Sequence, residues 1–154
     1  YNLCPEVIFC ATPPHDGNLS RFYTHAADFC YKLPDHLSLE EGALLEPLAV
    51  GVHACKRSGV GLGTSVLVLS AGPIGLVNVL AAKAYGARVV CASRSLSRLN
   101  VAKDCGADVI IQVKDYEKEE NAIINKINET MGAAPQVTID CTGVANCLTL
   151  AINV

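Results

Sequence analysis

The chain has 154 residues, 51% of them hydrophobic, and a formal net charge of −3 at pH 7. This length can bury one sizeable core, and the interleaved acidic and basic residues offer no basic patch for nucleic acid or for an anionic membrane surface. No apolar stretch is long enough to span a bilayer, and no signal peptide is visible.

The first third of the chain changes from turn-rich to helical. Residues 1–37 are rich in turn residues, and only the run 21–32 is a candidate for a short strand. Ser38 and Glu41 form a capping box, which predicts that a helix begins there. Pro47 is expected to interrupt that helix, since proline offers no amide, and a second helix is predicted over residues 48–57.

The rest of the chain alternates between strands and helices. The predicted strands cover residues 65–70, 88–92, 107–113 and 136–140, and the predicted helices cover 73–85, 95–105, 116–131 and 144–153. Short apolar strands that alternate with helices are typical of a parallel sheet covered on both faces. We therefore predict an α/β fold and divide the chain into three segments, residues 1–37, 38–58 and 59–154. Because the chain starts at Tyr1 and stops within an apolar run, we expect an internal piece of a longer protein.

Eight cysteines are spread along the chain without a CxxC pair, so their spacing alone indicates no zinc site. Cys91 and Cys141 lie in strand-like runs, and Cys55 and Cys105 lie in helix-like ones. Cysteine is often buried as a free thiol, and disulfides are rare in the cytosol. We therefore expect reduced thiols in a cytoplasmic protein.

The first predicted strand runs into a glycine-containing loop, residues 70–75, and then into a helix. The loop is typical of the dinucleotide motif GxGxxG, with Ser70 in place of the first glycine. In that motif Gly72 allows the backbone to approach a pyrophosphate, and Gly75 allows the helix to pack on the strand. Pro73 suits the first helical turn, whose free amides attract phosphate. An ordinary strand-to-helix turn is the alternative, but its context favours a cofactor site that includes Gly72, Pro73, Ile74 and Gly75.

The end of the second predicted strand indicates which cofactor binds. Proteins that bind NAD place an acid there to bind the ribose 2′-hydroxyl, whereas this strand ends in Ser93 and Arg94. A serine hydroxyl and a guanidinium can both donate to a 2′-phosphate, and Arg98 could add a second charge. Solvated surface arginines are the alternative. The sequence favours NADP(H).

The chain closely resembles the sorbitol dehydrogenases, of the zinc-containing medium-chain dehydrogenase family. The resemblance covers almost the whole chain and is carried by residues 1–4, 9–14 (FCATPP), 16–19 (DGNL), 41–48 (EGALLEPL), Gly51, 53–55 (HAC), 71–75 and 140–143 (DCTG). The Ser-Arg strand end resembles the NADP-preferring ketose reductases. The resemblance implies a GroES-like catalytic domain, ending in residues 1–37, followed by a Rossmann-type domain of which residues 59–154 are part. Residues 38–58 would be connecting helices.

The resemblance also assigns site residues. Glu46 matches a glutamate that faces the catalytic zinc, whose main ligands would lie upstream. Cys4 matches the last cysteine of a four-cysteine structural zinc lobe that some members lack. Thr142 and Gly143 are carried over as cofactor-binding residues. The family implies zinc-assisted hydride transfer between NADP(H) and a polyol or ketose, with sorbitol and fructose the first expectation, in a homotetramer. Another zinc alcohol or polyol dehydrogenase, or a non-enzymatic NADPH-binding relative, remains an alternative.

Overall fold

The computed structural model describes residues 3–154, which divide into two units with the boundary between Leu37 and Ser38. The first unit is held by local backbone hydrogen bonds, such as those from Ala11 N to Asp16 O and from His15 N to Thr12 O. The predicted strand within residues 21–32 is wrong, because a short 3-10 helix, Ala27–Phe29, forms there instead. A strand needs a neighbouring strand for its backbone groups, and the described part of this unit contains none.

The second unit begins with two helices, α1 (Leu39–Ala43) and α2 (Leu45–Ser58). The capping box is confirmed, since Glu41 N donates to Ser38 Oγ and Ser38 N donates to a Glu41 carboxylate oxygen. The predicted start of the second helix is wrong by three residues. Pro47 lies in the first turn of α2, where its missing amide would have no partner within the helix, so proline is tolerated there.

A four-stranded parallel sheet forms the centre of this unit. Its strands are β1 (Ser65–Leu69), β2 (Arg88–Ser93), β3 (Val109–Gln112) and β4 (Val137–Asp140). The spatial order is β3-β2-β1-β4, so the order reverses at β1. In such sheets ligands bind outside the carboxyl ends of the strands at the reversal point. The predicted Rossmann-type α/β fold is confirmed.

Helices cover both faces of the sheet. They are α3 (Pro73–Ala84), α4 (Leu96–Asp104), α5 (Glu120–Met131) and α6 (Ala145–Asn153). Alternate residues of each strand point to opposite faces, and they form two cores. Val66 and Val68 pack with α3 and α4 on one face, whereas Leu67 and Leu69 pack with α5 and α6 on the other.

The predicted connecting helices, residues 38–58, belong to the same compact unit as the sheet. Cys55 of α2 is part of the core that α3 and α4 cover, and α2 lies directly against α3, so that a Cβ on Gly51 would meet Val77 O at 2.7 Å. The assignment of residues 1–37 to a GroES-like domain stays a prediction. Among the described residues, no helix has the length and apolar character needed to cross a membrane.

Candidate functional site: a dinucleotide cavity

The loop between β1 and α3 keeps the shape of a dinucleotide loop without its first glycine. Ser70 has φ +100, a conformation that L-residues rarely adopt and that favours glycine. Two hydrogen bonds hold it there: Ser70 N donates to Ala92 O at 2.8 Å, and Gly72 N donates to Ser70 Oγ at 3.1 Å. The serine hydroxyl therefore stabilises a turn in which the Ser70 backbone is strained.

The two glycines of this loop have different physical roles. A Cβ on Gly75 would overlap Ser70 O and would lie 2.8 Å from Ser70 C, so only glycine lets α3 start this close to the strand. A Cβ on Gly72 would meet only Ser70 Oγ, at 3.4 Å. Space beside Gly72 is thus open for a ligand, as expected where the backbone approaches a pyrophosphate.

The first turn of α3 is open to an anion. Gly72 is its N-cap and supplies no side-chain acceptor, while Pro73 occupies the first turn. Within residues 3–154, the amides at this helix start and the positive end of the helix dipole are therefore available to an anion. Ile74 is exposed at the same turn. This arrangement fits the pyrophosphate of a dinucleotide.

A cavity of about 760 Å³ lies at the carboxyl ends of the strands. Its wall consists of Ser70, Ser93, Arg94, Ser95, Ser97, Arg98, Tyr116, Cys141, Thr142, Val144 and Cys147. Of the predicted cofactor residues, Ser93, Arg94, Arg98 and Thr142 are brought together in this wall. The loop residues 72–75 and Gly143 are not part of it.

The wall around the end of β2 is positively charged. Arg94 and Arg98 are its charged residues, and it contains no acid. Neither guanidinium takes part in an ion pair within residues 3–154. Ser93 is only 8% exposed, and within the same residues its hydroxyl has no hydrogen-bond partner. A serine hydroxyl and two arginines in one cavity wall that has no acid are suited to an anionic group.

The start of α4 and the end of β4 shape two further parts of the wall. Ser95 caps α4 by accepting from Arg98 N at 3.4 Å, and its Oγ lies 3.0 Å from Ser97 Oγ. After β4, Asp140 Oδ1 accepts from Thr142 N at 3.0 Å and from Thr142 Oγ1 at 2.7 Å. This turn presents Thr142 to the cavity, and Gly143 follows with φ +67.

Sequence reasoning missed several wall residues, above all Tyr116 and Cys141. The Tyr116 ring packs on the core that α5 and α6 cover, and its hydroxyl donates to Ala92 O at 3.4 Å. Burial raises the pKa of Tyr116, so its phenol keeps its proton. Burial, with the Asp140 charge, raises the pKa of Cys141 to about 11. Both residues closely follow predicted strands, and that position was the signal that could have found them.

The two predicted zinc residues do not lie at a metal site among the described residues. Glu46 is exposed in the first turn of α2, and Cys4 is exposed in the first unit. Across the described part of the chain, no three His, Cys, Asp or Glu side chains come together to hold a metal ion. These residues do not by themselves form a zinc site, and both assignments stay predictions.

Comparison with known proteins agrees with the fold. The profile of the zinc-binding dehydrogenase family matches residues 73–154. The chain is 60% identical over 145 residues to sorbitol dehydrogenase of Ovis aries, covering 94% of this chain and 40% of that relative. The chain thus spans two fifths of that relative's length.

Two solved structures from Escherichia coli are also similar. An oxidoreductase/dehydrogenase of unknown specificity has a TM-score of 0.85 and 35% identity, covering 97% of this chain and 43% of that one. An alcohol dehydrogenase solved with NADH has a TM-score of 0.80 and 26% identity, covering 90% of this chain and 40% of that one. Since the family profile covers more than half of the chain, and its match begins at the first turn of α3, the chain belongs to the zinc-binding dehydrogenase family.

Proposed function

We propose that the protein is an NADP(H)-preferring polyol dehydrogenase that acts on a polyol/ketose pair, with sorbitol and fructose as the first candidates. The observation that carries the cofactor assignment is the end of β2, where Ser93 and Arg94 enter a cavity wall without any acid. The substrate class rests on the similarity to sorbitol dehydrogenase of Ovis aries.

The cavity residues would bind the adenosine end of the cofactor. The free amides of α3 would hold the pyrophosphate beside Gly72. The hydroxyl of Ser93, which lines the cavity, would donate to the 2′-phosphate, and Arg94 would bind the same group through its planar guanidinium. An acid at this strand end would instead repel that phosphate, so the proposed preference has a simple electrostatic basis.

The bound cofactor would supply the hydride, while the protein supplies its position and the surrounding charge. Since cells usually hold NADP(H) reduced, we propose ketose reduction as the working direction. Glu46 is proposed to face the catalytic metal of the intact protein. Because the described residues lack a three-ligand set, we assign no step of the reaction to the metal. Assembly as a homotetramer and a cytoplasmic location are proposed on the family resemblance.

The cofactor assignment is tested by changing Ser93 to Asp together with Arg94 to Leu in the intact protein. A charged hydrogen bond contributes about 1.5–3 kcal/mol, so NADPH affinity should fall roughly tenfold to a hundredfold while NADH binds at least as well. Arg57→Leu is the matched control, because it removes one exposed arginine in the last turn of α2. Isothermal titration with each cofactor measures the shift, and an unchanged preference would contradict the assignment.

The substrate is tested by metal analysis of the intact protein and by turnover with fructose and each cofactor. Zinc together with fructose reduction supports the proposal. A zinc protein that reduces only other carbonyl substrates would be a different alcohol or polyol dehydrogenase. A protein that binds NADPH, lacks metal and turns over no alcohol would be a non-enzymatic relative.

A further inference from the structure

The end of β2 is held in place by hydrogen bonds to successive carbonyl groups. The carbonyls of Ala92 and Ser93 accept from backbone amides of the neighbouring strand ends, at 2.8 and 3.0 Å. The next carbonyl, that of Arg94, accepts instead from a side chain, Gln112 Nε2, at 3.1 Å. The first two bonds involve main-chain groups that any sequence would supply. The third depends on the residue at position 112.

Gln112 is well placed for this contact but does not itself line the cavity. It is the last residue of β3 and pairs in register with Ser93, one residue before Arg94. The β2–β3 ladder ends at this pair, so the amide of Gln112 extends the anchoring of β2 one residue beyond the sheet. Its side-chain bond therefore connects Gln112 to the cavity wall through the Arg94 backbone.

We propose that Gln112 is a positioning residue that sets the protein's selectivity for the cofactor's 2′-phosphate. The inference rests on the function proposed above. A long arginine side chain loses rotamer freedom when it binds, and a mobile backbone beneath it would add to that loss. Because Gln112 already holds the Arg94 carbonyl, only the Arg94 side chain has to become ordered when the phosphate binds. A cofactor without a 2′-phosphate gains nothing from this contact.

The test compares adenosine 2′,5′-bisphosphate with AMP, which differ only in the 2′-phosphate, as ligands of the intact protein in isothermal titrations. Gln112→Leu removes the donor at similar size, and we expect the bisphosphate to bind about three- to tenfold more weakly, as for loss of one neutral hydrogen bond. AMP should bind as before. Gln112→Glu keeps the shape, cannot donate, and adds a negative charge, so the affinity for the bisphosphate should fall at least as much as in Gln112→Leu.

Gln136→Leu is the matched control for a purely structural effect. Gln136 Oε1 accepts from Ser65 N at 2.9 Å, at the opposite end of the sheet. Its loss should lower the melting temperature without changing the ratio of the two affinities. A stability effect alone would therefore look the same at positions 112 and 136, whereas a positioning role changes the ratio only at 112.

The outcomes separate the two proposals. A wild-type protein that shows no preference for the bisphosphate overturns the proposed cofactor assignment, and this inference with it. A wild-type preference that both Gln112 variants retain overturns this inference alone. A preference that falls in both Gln112 variants and persists in Gln136→Leu supports it.

Discussion

Replacing Gly75 with alanine should destabilise the fold, although alanine normally stabilises a helix. Gly75 lies in the first turn of α3, where the higher propensity of alanine would by itself contribute up to about 1 kcal/mol. The added Cβ would overlap Ser70 O and lie 2.8 Å from Ser70 C. Both atoms are backbone, so the clash cannot be relieved by a side-chain rotation, and the start of α3 must move.

The size of the effect follows from these contacts. Overpacking against well-packed atoms costs about 1–3 kcal/mol, and sometimes more. A clash with two backbone atoms should cost an amount at the upper end of that range. Subtracting the gain in helix propensity leaves a decrease of about 2 kcal/mol in the free energy of unfolding. For a domain of about 150–250 residues, that loss lowers the melting temperature by roughly 4–8 °C.

Gly72→Ala is the matched control because it separates stability from binding. Its Cβ would meet only Ser70 Oγ, at 3.4 Å, and its backbone at φ −75 and ψ 175 suits any residue. Stability should change by less than about 1 kcal/mol, whereas NADPH should bind at least about tenfold more weakly, because the methyl group occupies the approach to the pyrophosphate. Thermal denaturation without ligand and titration with NADPH measure the two effects. A Gly75→Ala protein as stable as wild type, or a Gly72→Ala protein that binds NADPH normally, would refute this reasoning.

Two further predictions concern stability. Gly51→Ala should lose about 1–3 kcal/mol in urea denaturation, because its Cβ would lie 2.7 Å from Val77 O where α2 meets α3, while Gly61→Ala, with open space around the added Cβ, should stay close to wild type. Burial alone would raise the pKa of Asp108, but hydrogen bonds from Lys83 and from a backbone amide lower the pKa below its usual 3.8; the ionised carboxylate therefore stabilises the fold above about pH 4, and this stabilisation is lost as the pH falls through the lowered pKa. Asp108→Asn should consequently melt below wild type at pH 7, and the difference should shrink at pH 3.

The order of strands and helices could be predicted because local chemistry and tertiary packing agree there. The two central strands, β1 and β2, have alternate residues buried on two faces, so the continuous apolar run is their sequence signature. The capping box of α1 and the proline of α3 mark helix starts by satisfying or removing free amides. Both starts are found where the pattern predicts them.

The predictions that failed depended on contacts that local sequence does not contain. The run 21–32 has strand-like residues but no partner strand in its own unit, so only a short 3-10 helix forms. The helix predicted from residue 116 begins at Glu120. In the structure Asp115 Oδ1 accepts from the amides of Glu117 and Lys118. That side-chain turn competes with the helix, and it leaves Tyr116 in the cavity wall rather than on a helix.

The candidate cofactor site could be predicted in part because its residues follow the ends of strands that the sequence pattern reveals, whereas no pattern among the described residues predicts a complete metal site. The Ser93–Arg94 step, the α4 cap and the Gln112 anchor all lie at adjoining strand ends, within a single unit of the fold. On the proposed function, a few substitutions near one strand end should therefore change cofactor selectivity. Glu46, in contrast, would act on a metal for which the described residues supply no three-ligand set. On the proposed function, we therefore expect substitutions at Glu46 to change turnover and substitutions at Ser93 and Arg94 to change cofactor choice.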